Sequence, residues 1–181
     1  MDLSIVIVNY NVKGFLQQCL DSIYRSHTSY SYEVIVIDNA SSDHSQDVLT
    51  PLFPQVRWVQ NAENVGFGRA NNQGFALAQG TYTLILNPDT VLREDALQTS
   101  IDYLRMHPEV GGLGIKGVDG HGQFLPESKR GLPTPWVALS KLSGLAKLFP
   151  KSKLFARYYL GHLDPDKNQK VEITVGCYMR S

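Results

Sequence analysis

Leu3–Val8 (LSIVIV), Glu33–Ile37 (EVIVI) and Tyr82–Leu86 (YTLIL) are nearly continuous apolar runs, rich in β-branched residues and too short to be helices. A strand without polar alternation is buried on both faces, and that arises in parallel sheets covered by helices above and below. The intervening stretches supply those helices. Gly14–Tyr24 carries Phe15, Cys19, Leu20 and Ile23 at helical spacing, and the cap-type residues of Asp38-Asn39-Ala40-Ser41-Ser42-Asp43 predict a second helix near Ser45–Leu52. Val56–Val59 reads as another strand, Gly66–Ala78 as a helix stopped by Gly80, and Glu94–Met106 as a helix with Pro108 just past its end. Gly111–Lys116 then reads as a strand joined by the turn Asp119-Gly120-His121-Gly122 to a short one at Gln123–Leu125, and Val171–Met179 as a last strand. The fold class is α/β, a mostly parallel sheet flanked by helices.

The chain has 181 residues, 43% of them hydrophobic, which suffices for one domain with a real core and excludes disordered, collagen-like and coiled-coil classes. Seventeen Lys plus Arg balance seventeen Asp plus Glu, so no bulk nucleic-acid partner is expected. The balance is local, however. Residues 1–127 hold fourteen acidic and seven basic side chains, whereas 128–163 hold seven basic and no acidic ones. This predicts a core over 1–127, followed over 128–181 by a basic helical segment near 136–160, broken at Pro150, and the final strand. Trp136, Leu142, Leu145, Phe149 and Phe155 alternate there with Lys141, Lys147, Lys151, Lys153 and Arg157. The tract 129–157 reads as a solvated face, as a surface for anionic headgroups or a lipid-diphosphate acceptor, or as a nucleic-acid patch. Cys19 and Cys177 are too few for a disulfide framework or a cysteine zinc site, which fits a reducing cytoplasm. No apolar run approaches the roughly 20 residues of a membrane span, and Met1-Asp2 lacks a basic leader start. The expected location is cytoplasmic, at most peripheral at the inner face of the membrane.

In open parallel sheets ligands bind beyond the carboxyl ends of the strands. Those ends read Asn9-Tyr10-Asn11, Asp38-Asn39-Ala40-Ser41-Ser42-Asp43 and Asn87-Pro88-Asp89. Tyr10 offers a flat face to a base, Asp38 accepts from an imide N–H or a sugar hydroxyl, and Asp89 is a hard oxygen ligand for a divalent cation. Each also has a plainer reading: Tyr10 ends a strand, Asp38 caps its loop, and Asp89 is a turn residue after proline. The glycines of Asn64-Val65-Gly66-Phe67-Gly68 serve either backbone approach to a ligand or tight helix entry. Asn72 reads as a buried structural amide, and His121 and His162 as solvated loop residues. Gly112-Leu113-Gly114-Ile115-Lys116-Gly117 spells G-x-G-x-x-G without the strand–turn–helix context that a dinucleotide needs. Asn39-Ala40-Ser41 spells a glycosylation acceptor, meaningful only in a secreted protein.

Val6-Ile7-Val8-Asn9-Tyr10-Asn11, Val36-Ile37-Asp38-Asn39-Ala40-Ser41-Ser42-Asp43, Asn64-Val65-Gly66-Phe67-Gly68-Arg69-Ala70-Asn71-Asn72-Gln73-Gly74 and Leu86-Asn87-Pro88-Asp89-Thr90 stand in the order and spacing of family 2 glycosyltransferases. The chain most resembles their bacterial rhamnosyltransferase-type branch. The resemblance implies a GT-A fold, a nucleotide-diphosphate-sugar donor (dTDP- or UDP-sugar) in the strand-end cleft, and Mg²⁺ or Mn²⁺ on the diphosphate. It places Val8 and Tyr10 beside the base and Asp38 on base or ribose. Asn64, Gly66 and Asn87 belong to the same donor pocket, and Asp89 is the metal ligand. Asn87 departs from the common Asp-x-Asp and leaves one negative charge fewer on the metal. The implied reaction is inverting transfer of a sugar, rhamnose by the branch, to a glycan or polyprenyl-diphosphate-linked acceptor in cell-surface polysaccharide synthesis. The family's general base follows a strand like Val171–Met179, so the catalytic residue is expected beyond Ser181. Rival readings are a non-catalytic nucleotide-sugar binding fragment and a nucleotidyltransferase. The latter usually wants a glycine-rich basic loop where this chain has Asn9-Tyr10-Asn11-Val12.

Overall fold

The computed structural model describes residues 1–115, 117–118, 129–130, 173–174 and 177–180. The first elements are β1 (Leu3–Asn9), α1 (Lys13–Tyr24), β2 (Tyr32–Asp38), α2 (Ser45–Leu49), β3 (Arg57–Gln60) and α3 (Phe67–Leu77). They are followed by β4 (Tyr82–Leu86), α4 (Ala96–Met106), β5 (Gly112–Gly114), β6 (Lys129–Arg130), β7 (Ile173–Thr174) and β8 (Cys177–Arg180). Two compact units result, Met1–Leu113 with Gly176–Ser181, and Gly114–Val175. The main sheet runs β3-β2-β1-β4-β8-β5. Its first four strands are parallel neighbours, and β8 returns antiparallel along β4. In the second unit β6 pairs antiparallel with β7.

All seven residues of β1 are buried, the signature of a central strand. Alternation sends Val6 and Val8 to the face under α3, where Val8, Ile35, Ile37 and Ala70 pack with Val59, Val65 and Leu77. The opposite face receives Ile5 and Ile7. Helix α1 buries Leu16, Cys19, Leu20, Ser22 and Ile23, and α4 buries Leu97, Ser100, Ile101 and Leu104. Helix α3 lies almost on β1, because a Cβ at Gly74 would stand 2.2 Å from Val6 Cγ1. Valine is stiff at χ1 in this setting, so Gly74→Ala must push the helix off the strand. The expected cost is about 1 to 3 kcal/mol, read as a shift in the urea midpoint at unchanged m. A cost near zero would mean that α3 and β1 are not in this contact.

Several sequence expectations need correction. Helix α2 stops at Leu49 rather than near Leu52, since Pro51 has no N–H with which to continue the ladder. Helix α4 starts at Ala96, two residues late, because Glu94 spends its carbonyl on the His27 N–H at 2.7 Å. The fifth strand shrinks to Gly112–Gly114. The expected last strand is two: Ile173–Thr174 pairs with Lys129–Arg130, and Cys177–Arg180 with β4. Lys129 and Arg130, the start of the basic tract, are therefore strand. On α3 the buried amide is Asn71, and Asn72 is exposed, because the face toward the sheet is Ala70, Asn71 and Gly74. The turn 119–122, the strand 123–125, the basic segment 136–160, His121 and His162 lie outside the described residues. Among the described residues no helix is long and apolar enough to cross a membrane.

Candidate functional site

The chain lays β1, β2 and β3 in one direction across the sheet and then places β4 on the other side of β1. The connections therefore diverge between β1 and β4, and the crevice beyond their carboxyl ends is where open α/β sheets bind ligands. Register fixes what meets there. Asn9 stands opposite Asp38, Asp38 opposite Gln60, and Ile7 opposite Leu86. Tyr10 and the turn Asn87–Thr90 thus emerge from adjacent strands. A cavity of about 570 Å³, lined by Ser22, Arg25, Leu92 and Arg93 among others, belongs instead to the last turn of α1.

The Asp38 carboxylate is buried, 1% exposed, and saturated. Its Oδ1 accepts from Asn9 Nδ2 at 2.6 Å and from the Ser41 hydroxyl at 2.6 Å. Its Oδ2 accepts from the Ser41 backbone N–H at 2.8 Å and from Gln60 Nε2 at 2.7 Å. A buried charge is tolerable only with such a set of donors. Here the set ties the ends of β1, β2 and β3 into one row. A second row is made of amides. Asn61 Nδ2 donates to Asn39 Oδ1 at 2.8 Å, while Asn61 and Gln73 exchange bonds of 2.9 and 3.1 Å that tie α3 to the end of β3. The sequence alone singles out none of Gln60, Asn61 and Gln73 as a site residue. The parallel register that aligns Gln60-Asn61 with Asp38-Asn39 would have found the first two.

The Asp38–Asp43 loop is stiffened by its own side chains. Ala40 and His44 hold φ near 59° and 57°, a left-handed conformation that non-glycine residues adopt at a cost of about 1 to 3 kcal/mol. Asp43 Oδ2 accepts from the Lys13 N–H at 2.8 Å and its Oδ1 from the Ser45 N–H at 3.1 Å, so one carboxylate serves the first turns of α1 and α2. Burial alone would raise the Asp43 pKa. Hydrogen bonds from Ser45 and the Lys13 backbone outweigh it and hold the group below its ordinary 3.8. Asn9 Oδ1, by contrast, is a buried acceptor without a partner among the described residues. An unpaired buried acceptor at a strand end is the kind of cost that functional positions carry.

The remaining candidates divide between surface and core. Tyr10 is 49% exposed at the mouth of the crevice. Val8 is buried, with its side chain in the core under α3. Asn64 is exposed, and its Oδ1 accepts from the Gly66 N–H at 2.9 Å, closing the turn into α3. Gly66 sits at φ 85°, which only glycine adopts freely, so this glycine is required by the turn. Gly68 is required neither by backbone conformation nor by space, for a Cβ there would meet nothing within 4 Å. The first turn of α3, which it occupies, carries no acidic residue and no side-chain cap.

Asn87-Pro88-Asp89-Thr90 is a tight turn, closed by the Thr90 N–H on the Asn87 carbonyl at 3.2 Å with proline at its second position. It lifts Asp89 into solvent and leaves Asn87 half-buried. Beneath it lies Cys19, fully buried, whose Sγ is 3.7 Å from the Asn87 carbonyl oxygen. Burial pushes this thiol up to about 12, and the nearby Asp89 charge adds to the rise. Among the described residues no group of three or more His, Cys, Asp or Glu could hold a metal ion. One exposed carboxylate beside an amide fits Mg²⁺ or Mn²⁺ held jointly with a diphosphate, in which phosphates and water complete the shell.

Comparison with known proteins gives a consistent result. Residues 4–160 match the family model described as glycosyl transferase family 2. A glycosyltransferase of Nostoc sp. is 32% identical over 71% of this chain and 41% of its own. A poly(ribitol-phosphate) beta-glucosyltransferase of Bacillus spizizenii is 31% identical over 85% of this chain and 26% of its own. The chain thus spans less than half the length of either relative. Among solved structures, S. aureus TarS in complex with UDP-GlcNAc superposes with a TM-score of 0.58 at 19% identity, over 89% of this chain and 54% of that one. A mannosyltransferase of Pyrobaculum calidifontis in complex with GDP-Man and Mn²⁺ superposes with a TM-score of 0.56 at 24% identity, over 62% and 34%. At these identities the likeness shows the shared fold, the GT-A arrangement of a mostly parallel sheet between helices.

Proposed function

The chain belongs to glycosyltransferase family 2, and from that premise we propose that residues 1–127 bind a nucleotide-diphosphate-sugar donor and that the protein transfers its sugar, with inversion, to a glycan or polyprenyl-diphosphate-linked acceptor. The observation that carries this reading is the exposed Asp89 turn beside exposed Tyr10, on adjacent strands at the switch point. Tyr10 presents its ring to the base. Asn64, Gly66 and the uncapped first turn of α3 face the phosphates, where partial positive charge from the helix favours an anion. Asp89, with Asn87 beside it, would hold Mg²⁺ or Mn²⁺, which would supply charge neutralisation to the departing nucleotide. Asp38 and Val8 act from behind the pocket, one by bracing its loop and the other by packing the strand that carries Tyr10. Displacement at the anomeric carbon also needs a base within reach of the acceptor hydroxyl, a role given to none of these residues.

The relative named for poly(ribitol-phosphate) and the neighbour seen with UDP-GlcNAc support a uridine donor and a poly(ribitol-phosphate) type of acceptor. The branch resemblance supports dTDP-rhamnose. A thermal-shift screen of UDP-, dTDP- and GDP-sugars with and without Mn²⁺ decides between them, followed by labelled-sugar transfer with the one that binds. Absence of any metal-dependent shift would refute the donor-site reading.

The basic tract 129–157 is read as a contact for the anionic inner membrane face or for a lipid-diphosphate acceptor. Changing Lys141, Lys147, Lys151 and Lys153 to Gln is expected to reduce sedimentation with anionic vesicles, each cation being worth about 1 kcal/mol near the surface. If the unaltered chain ignores vesicles at low salt, this contact does not exist.

A further inference from the structure

The segment from Asn87 to Leu92 carries the candidate metal ligand, and it is fastened from below at both ends by one helix. At its start, the Asn87 carbonyl faces the Cys19 thiol at 3.7 Å. At its end, the Leu92 N–H donates to Ser22 Oγ at 3.0 Å, and that hydroxyl donates in turn to the Cys19 carbonyl at 2.7 Å. Cys19 and Ser22 lie three residues apart on α1, hence on one face, and both are buried. The protonated thiol donates to a carbonyl that already accepts the Thr90 N–H, so the turn bearing Asp89 is gripped at its first residue. Asp89 itself stands in solvent between the two grips.

We propose that Cys19 and Ser22 are positioning residues for Asp89: a polar clamp on the buried face of α1 that fixes the backbone on both sides of the metal-binding carboxylate. The inference rests on the reading of Asp89 as the metal ligand given above. Its physical basis is preorganisation. A carboxylate on an unfastened loop loses conformational freedom when it meets the metal, whereas one on a clamped turn has already lost it. The clamp leaves the base side of the pocket untouched, since Asp38 and Asn39 are held by other bonds. A merely structural contribution would weaken every mode of nucleotide binding together. A positioning contribution weakens only the mode that uses metal.

The test measures the affinity of the chain for whichever of UDP, dTDP and GDP it binds, by calorimetry at saturating Mn²⁺ and again in EDTA. In the Cys19→Ala, Ser22→Ala double variant the Mn²⁺-supported affinity is expected to fall by about three- to tenfold with the EDTA value unchanged. Cys19→Ser alone, which keeps a donor, should retain most of the wild-type ratio. Equal losses with and without Mn²⁺, or no loss at all, would overturn the proposal. Asp89→Asn run alongside separates the two levels of argument. If it keeps full Mn²⁺ dependence, the metal-ligand reading falls and the clamp with it. If it loses that dependence while the double variant does not, only the clamp falls. Amide exchange in the unaltered chain gives a second measure that needs no variant to fold. The Leu92 N–H should exchange as slowly as those of β4, and exchange at the rate of an open loop would count against the clamp.

Discussion

Asp38→Ala is expected to cost about 3 to 5 kcal/mol of folding stability, a large effect for a single substitution. The carboxylate accepts four hydrogen bonds at 2.6 to 2.8 Å, and its removal leaves Asn9 Nδ2, the Ser41 N–H and Gln60 Nε2 without their strongest acceptor. An unmet buried donor costs about 1 to 3 kcal/mol, and water reaching the Ser41 and Gln60 side recovers part of that. Asp38→Asn should be milder, because one oxygen still accepts while the new NH₂ faces donors it cannot satisfy. Urea unfolding checks both. The same variants decide what Asp38 does for the ligand. As a brace, it lowers nucleotide affinity only in step with the lost order of the loop. A loss below about 1 kcal/mol in stability together with a sharp drop in affinity would make the carboxylate a direct contact.

The parts of the fold that were legible in the sequence are those in which a single local pattern sufficed. Tyr82–Leu86 is legible to the residue, and β1 and β2 to within one residue at each end, because continuous β-branched runs have no competing reading at that length. Boundaries slipped where a long-range bond intervened, as when the His27 N–H takes the Glu94 carbonyl and delays α4. The split of the last strand is hidden from the sequence for a similar reason: nothing in VEITVGCYMR tells that its first part pairs with Lys129–Arg130 and its second with β4. On α3 a phase error of one residue exchanged Asn72 for Asn71, since a helix with Asn at both positions offers no amphipathic signal to choose between them.

The site was legible as a set of strand ends and illegible as a network. Sequence order puts Asp38 and Asp89 at the ends of strands, and both are carboxylates in polar loops. Only register shows that Asp38 is locked between Asn9 and Gln60 while Asp89 is exposed on a turn. Cys19 illustrates the same limit. By spacing it is one more apolar residue of α1, and its position beneath Asn87, 68 residues along the chain, is visible only in three dimensions.

That difference between the two carboxylates underlies the second large effect. Asp89→Asn is expected to lower Mn²⁺-supported affinity for a nucleoside diphosphate at least tenfold, about 1.4 kcal/mol, and to make binding with and without metal nearly equal. The substitution keeps size and shape and removes the negative charge. Asn87 and Thr90, the other polar side chains of the turn, offer only neutral oxygens, so no second carboxylate in the turn compensates. Stability should barely move, within about 0.5 kcal/mol, because Asp89 is exposed and its turn is closed by backbone and proline. The pairing of a large change in metal dependence with a small one in stability is the reverse of the Asp38 pattern. It is what distinguishes a ligand from a brace when both are aspartates at strand ends. Calorimetry in Mn²⁺ and in EDTA, with urea unfolding of the same preparations, measures both quantities. Retention of full Mn²⁺ dependence would remove Asp89 from the metal site and send the assignment to carboxylates outside this turn.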